Sequence, residues 1–264
     1  MRALQSCLSL LWVLIFTWPS VPVSAADLAV VIDDVGYNRA RGQRAVRLPG
    51  PVTIAVLPFA PHTPMLVDQA TRYGKDIIVH QPMEPEPSGH ARKEHDTLTL
   101  AMSSEQFDRT LLRALAAVPQ GVGLSNHTGS LLTRHRAPML RLMGHLRKHG
   151  LLFLDSRTTA ATVAYEIANE VGVPAVHRDV FLDHVRTPAA VHQAFERAIG
   201  IARRSGSAVL IGHPYPVTLD YLDERLHRLP SDVRLVGLQA VALRRRTAPV
   251  LAQDQRSLRI SLGQ

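Results

Sequence analysis

The sequence predicts an α/β fold in one domain, with a parallel sheet covered by helices and curled into a barrel of irregular closure rather than a doubly wound sheet. Three observations predict it. Short apolar runs alternate with longer amphipathic segments seven or eight times along the 264 residues. The runs AVVI, VTIAVL and AVLI are continuous rather than alternating, as in strands buried on both faces. Helix start and stop signals stand between them where β-α units need them.

The first strand is expected at Leu28–Asp34, followed by a helix at Arg39–Arg47. A second strand, Val52–Phe59, precedes a helix at Pro64–Tyr73, and a third, Asp76–Gln81, leads into the Pro-rich stretch MEPEPSGHARKEHD. That stretch, Met83 to Asp96, has no period and is expected to be a surface loop near the site. The helix at Glu105–Val118 opens with Ser103 and Gln106 at capping-box spacing. Strands at Gly121–His127 and Leu151–Ser156 flank a helix at Pro138–His149, and Gly150 and Gly172 follow helical runs as stops. A helix at Ala161–Val171, a strand at Ala175–Leu182 and a helix at Pro188–Arg204 come next. Strands at Ala208–His213 and Val233–Leu238 enclose the last helix, Leu219–Arg228, and residues 244–264 read as a tail.

Residues 1–25 have the pattern of a secretory signal peptide: Arg2, an apolar run from Leu8 to Trp18, then small residues at Val23, Ser24 and Ala25. The run is shorter than the ~20 residues of a spanning helix. The expected mature chain starts near Ala26 or Asp27, in a periplasmic compartment, with membrane contact only through an uncleaved leader. The single cysteine, Cys7, lies inside the leader, which excludes disulfides and thiolate chemistry from the mature domain of residues 27–243. Hydrophobic content of 46% and charged content of 20% suit a folded domain with a packed core. The net charge of +8 rests almost wholly on arginine and is dispersed. Dispersion and export argue against nucleic acid and toward an anionic envelope polymer or a solvated basic face.

In parallel α/β folds, functional groups collect at the carboxyl ends of the strands. Here those ends carry Asp33 and Asp34, His80, Asn126 and His127, Asp155 to Arg157, then His177, Arg178, Asp179 and Asp183, and finally His213. Carboxylates and imidazoles from separate strands, with positions left open for water, make a usual set for a catalytic divalent metal. Two adjacent bare carboxylates repel, and a cation relieves the conflict. One can then ligate the metal while the other takes a proton from water. The alternative is that the pair caps the turn into the next helix with backbone hydrogen bonds.

The motifs IDDVG, HQPMEP, LSNHTGS, FLDSRT, HRDVFLD and IGHPYP, in that order, resemble the divergent polysaccharide deacetylase family, related to the NodB-type carbohydrate esterases. The resemblance spans roughly Asp27 to Leu238 and implies a distorted (β/α) barrel of seven to eight parallel strands. It implies metal-dependent removal of N-acetyl groups from an envelope polysaccharide, with zinc first among the divalent metals. It places the general base on Asp33, a metal ligand on Asp34 and the general acid on His213. The superfamily's H-x-x-x-H signature is absent, since His80 is followed by Gln81, Pro82, Met83 and Glu84. His127, one strand along, is the best substitute, giving a metal set of Asp34, His80 and His127. Asp155 and Arg157 are expected to orient His213 or bind substrate, and Asp179 to support the site. The missing signature also leaves room for a non-catalytic envelope protein that keeps the fold and the metal.

Overall fold

The structure, a computed structural model, describes residues 25–87, 94 and 96–246. The expected leader, most of the 83–96 loop's far half and residues 247–264 lie outside the described residues. Among the described residues no helix is long and apolar enough to cross a membrane.

The strands are β1 (Ala26–Val35), β2 (Thr53–Val56), β3 (Ile77–Met83), β4 (Gly123–Thr128), β5 (Leu152–Asp155), β6 (Ala175–His177), β7 (Val180–Phe181), β8 (Ser207–Gly212) and β9 (Val233–Leu235). The helices are α1 (Arg39–Arg47), α2 (Thr63–Arg72), α3 (Ser104–Ala117), α4 (Arg136–Lys148), α5 (Ala164–Glu170), α6 (Pro188–Ser205) and α7 (Pro216–Arg225). The strands form one sheet in the order β6-β5-β4-β3-β2-β1-β8-β7, and β9 adds to β1. Every named pairing is parallel. The sheet is therefore a single α/β domain curled into a half-barrel.

Two layers of core follow from the period of two along each strand. Ala29 and Val31 of β1, Ala55, Ile78, Leu152, Leu154, Val176, Val209 and Ile211 form one buried cluster on the concave face. Leu28, Val30 and Ile32, with Ile54, Val79, Leu124, Phe153 and Leu210, face the helices in the other. The helices present matching stripes. In α6 the buried residues Val191, Ala194, Phe195, Ala198, Ile199 and Ala202 recur at three- and four-residue steps. Each fully buried Leu, Val or Ile contributes roughly 1.5–3 kcal/mol.

The caps match their sequence signals. Ser103 and Gln106 form a reciprocal capping box, and Thr187 caps α6 ahead of Pro188. Gly206 closes α6 in the left-handed conformation.

Two strands differ from expectation. The run Ala175–Leu182 is not one strand: β6 pairs with β5 at one sheet edge and β7 with β8 at the other. Arg178 and Asp179 carry the chain across the opening between them, so closure is made by the chain itself and not by a ladder. The run Val233–Leu238 keeps strand geometry only to Leu235, and residues 238–246 are helical. Leu238, Val241 and Ala242 of that helix fill the concave core from below. Arg244 and Arg245, expected in the tail, belong to this helix, where Arg244 pairs with buried Asp27.

Candidate active site

The same period of two aims a set of polar side chains at the mouth of the half-barrel. Counting up from the concave residues Ala29 and Val31 puts Asp33 on that face. Ile78 likewise leads to His80, Gly123 to Ser125 and His127, and Ile211 to His213. Asp34 breaks the count. An ideal strand would aim it at the helices, but the β1–β2 register shifts between Ile32 and Val35 and Asp34 adopts φ 57°. This bulge brings both carboxylates to one place. Gly36 then turns the chain away at φ 143°, where a Cβ would come within 2.6 Å of Ala60 and Thr63.

Asp34, His80 and His127 each offer one ligand atom, all within 4.8 Å of one another. Oδ1 of Asp34 is 2.9 Å from Nδ1 of His127 and 3.2 Å from Nε2 of His80. Tetrahedral ligands at zinc distances stand about 3.4 Å apart, so these spacings suit a divalent cation. Two further observations fit. Oδ1 of Asp34 is buried and makes no proper hydrogen bond among the described residues. Nδ1 of His80 is held by Ser125 Oγ at 2.7 Å, leaving Nε2 to face the site, as ligating histidines are commonly fixed.

Asp33 lies beside this cluster, buried, with Oδ2 3.6 Å from Nε2 of His80 and Oδ1 without a hydrogen bond among the described residues. Burial raises its pKa, against the neighbouring histidines, which lower it. Burial also pushes the Asp34 carboxyl up, but His127 and His80 outweigh it and hold the group ionised well below the usual carboxylate range. On the opposite side, His213 places Nε2 3.8 Å from Oδ2 of Asp34. Its Nδ1 meets Oδ1 of Asp183 at 2.8 Å, while Oδ2 of Asp183 accepts from the His213 backbone N–H and from Thr218. Burial lowers the imidazole, yet the hydrogen bond and charge of Asp183 dominate and bring it up to about 9.

The chain matches the family described as divergent polysaccharide deacetylase over residues 30–242. It belongs to the divergent polysaccharide deacetylase family. Among curated relatives it is 38% identical to the uncharacterized protein YibQ of Escherichia coli K12, over 82% of this chain and 67% of that one. Among solved structures, uncharacterized protein ATU2773 of Agrobacterium tumefaciens C58 has a TM-score of 0.79 at 24% identity, covering 84% of this chain and 92% of that one. A mutant of the peptidoglycan deacetylase PdaC of Bacillus subtilis has a TM-score of 0.50 at 13% identity, over 89% and 99% of the two chains. This likeness carries the fold of a deacetylase barrel.

The remaining expected residues lie elsewhere in this family member. Asp155 follows Phe153 onto the helix-facing side, where its carboxylate accepts from the Arg157 N–H and from Thr162, so it braces the β5 turn. Arg157 is exposed on the rim at φ 49°. Asp179 sits at the closure, accepting from the Val209 N–H at 2.7 Å and from Arg245 at 2.6 Å, and it supports the sheet seam and not the site. Ser125 and Asp183 join the site without a motif that marks their roles. The inward count from Gly123 finds Ser125, and Asp183 stands in HRDVFLD among the polar residues that follow β6 and β7.

Proposed function

We propose that this chain is an exported, metal-dependent hydrolase that removes N-acetyl groups from an envelope glycan, with zinc as the metal and peptidoglycan first among the glycans. The observation that carries the reading is the convergence of Asp34, His80 and His127 on one point, with a buried carboxylate on one flank and a carboxylate-paired imidazole on the other. A cation held by those three residues supplies Lewis acidity toward water and the acetyl carbonyl. Asp33, its pKa raised by burial, accepts the proton of the attacking water. Asp183 holds the proton on Nδ1 of His213 and keeps the ring charged, so that Nε2–H points into the site and donates to the leaving amine. Ser125 fixes the ring of His80. The binding-only alternative drew on the missing H-x-x-x-H signature, and His127, paired across β3 and β4, offers the second nitrogen from the next strand.

Metal content and acetate release test this together. The wild-type mature chain is expected to bind one zinc, Asp34→Ala to bind none, and Asp33→Asn to keep zinc while losing about 10²–10⁴-fold in acetate release from N-acetylated glycan strands. A folded wild type with no affinity for zinc, or equal release by wild type and Asp33→Asn, overturns the assignment.

A further inference from the structure

Most arginines with a fixed partner meet a carboxylate: Arg44 with Asp220, Arg141 with Asp108, Arg203 with Asp232, Arg225 with Glu196. Three arginines do not: Arg178 and Arg186, each over a ring beside His213, and Arg157, next to Arg178. Arg178 is half-buried and lies flat over the ring of Phe181 at 3.7 Å. Its Nε donates to the Ser156 carbonyl at 2.7 Å and Nη2 to the Arg157 carbonyl at 2.9 Å, and Nη1 has no partner among the described residues. Carbonyls carry no net charge, and the carboxylates that act on this cation, Asp155, Asp179 and Asp33, do so without a direct ion pair among the described residues. Arg157 adds a second positive charge beside it, and its side chain makes no bond among the described residues. Burial, with the Arg157 charge, lowers the pKa of Arg178 against Asp155, Asp179 and Asp33, which raise it. Asp155 acts on both cations, but its carboxylate is bonded to the Arg157 N–H and to Thr162, so two neighbouring guanidinium groups keep donors for an oxyanion.

The position is specific. The Phe181 ring beneath Arg178 stacks on His213 at 6.1 Å between centroids, with an interplanar angle of 27°. On the other side Tyr215 lies 5.5 Å from His213 and carries Arg186 at 3.8 Å over its face, with Arg186 donating to the Tyr215 hydroxyl at 2.6 Å. Two aromatic rings, each topped by an arginine, thus flank the imidazole. Their planes hold the guanidinium groups at fixed angles, which costs less ordering when a ligand binds.

We propose that Arg157 and Arg178, with Arg186 across His213, form a subsite for a carboxylate or phosphate on the sugar that bears the amide, making this chain selective for acidic over neutral N-acetylated glycans. The proposal rests on the hydrolase reading for the placing of the sugar beside His213. An anion there leaves the amine next to Nε2, and the oxyanion meets the free edge of Arg178 and the exposed end of Arg157 in charge-assisted hydrogen bonds.

Calorimetric binding separates this from the chemistry. The zinc-loaded protein is titrated with three N-acetylglucosaminyl disaccharides: a neutral one, one with an ether-linked carboxylate beside the amide, and one with a 6-phosphate. At least one acidic sugar is expected to bind about tenfold more tightly than the neutral one, and the preference weakens as salt rises. Arg157→Gln, which removes no hydrogen bond of the fold, and Arg178→Lys, which keeps charge but loses the fork, are each expected to reduce that preference about three- to tenfold. Arg186→Gln is expected to reduce it less. Arg197→Gln, on the outer face of α6, is expected to leave it unchanged. Equal or undetectable binding of the acidic sugars, a preference retained in both Arg157→Gln and Arg178→Lys, or one lost equally in Arg197→Gln overturns the subsite. A preserved preference without any acetate release removes the hydrolase reading and leaves the subsite standing.

Discussion

Replacing Asp183 by asparagine isolates the charge that sets the protonation of His213. Asp183 is buried, and its two oxygens accept from the ring Nδ1 at 2.8 Å, the His213 backbone N–H at 2.6 Å and Thr218 at 2.8 Å. The imidazole at about 9 rather than the ordinary 6.5 represents about 3 kcal/mol in favour of its charged form, gained against burial. Asparagine keeps the volume and one acceptor but removes the charge, so the ring should titrate at or below about 6.5. At pH 8 the charged fraction then falls from about nine-tenths to about three per cent, a loss of about 30-fold in the protonated acid. The assay is a nitrogen-detected NMR titration of His213 with divalent cations chelated, alongside acetate release across the same pH range. A midpoint unchanged to within about half a unit in Asp183→Asn refutes the assignment of the charge to Asp183. The same linkage acts on stability. Because the folded value lies above the unfolded one, the contribution is complete below about 6.5 and is lost as pH rises through about 9. Unfolding free energy of the chelated wild type should fall across that window, and that of Asp183→Asn should not.

Two other substitutions probe residues behind the site. Ser125→Ala removes the partner of His80 Nδ1 at 2.7 Å and should weaken zinc affinity about 10–100-fold with little change in thermal midpoint, as read by competition with a chelating dye. Asp179→Ala strands the Val209 N–H and the Arg245 guanidinium at the sheet seam and should cost about 2–3 kcal/mol, or roughly 5–10 °C in thermal midpoint, with zinc affinity intact. A matched loss of zinc binding would move Asp179 back to the site.

The β-α order was legible in the sequence because strands buried on both faces advertise themselves as unbroken apolar runs. The helices are equally plain where caps such as Ser103 and Gln106 fall in register. What stayed hidden is the crossing at Arg178 and Asp179. Val176 and Val180 read as one run, and only the positions of β5 and β8 at distant places in the sheet force the chain to leave one edge and join the other. Strand ends pointed to Asp33, Asp34, His80, His127 and His213 together. Asp155 also stands at a strand end, but the inward count sends Leu154 to the concave face and Asp155 to the helices. Ser125 shows the converse: a small polar residue one inward step below His127, it carries no strand-end signal. The bulge at Asp34 has no sequence signal of its own beyond the glycine two residues later.

That bulge ties the two carboxylates to a conformation the backbone does not prefer. A left-handed aspartate costs of order 1 kcal/mol, and closing two like charges in a buried mouth adds to it. The tip of β1 is held in this conformation by the ladders to β2 and β8 on either side, and a cation between the carboxylates would offset their repulsion. Glycine at position 34 would relax the tip and disarm it in the same stroke. In this barrel the most permissive residue for the backbone and the most useful one for the chemistry compete for a single place in the chain.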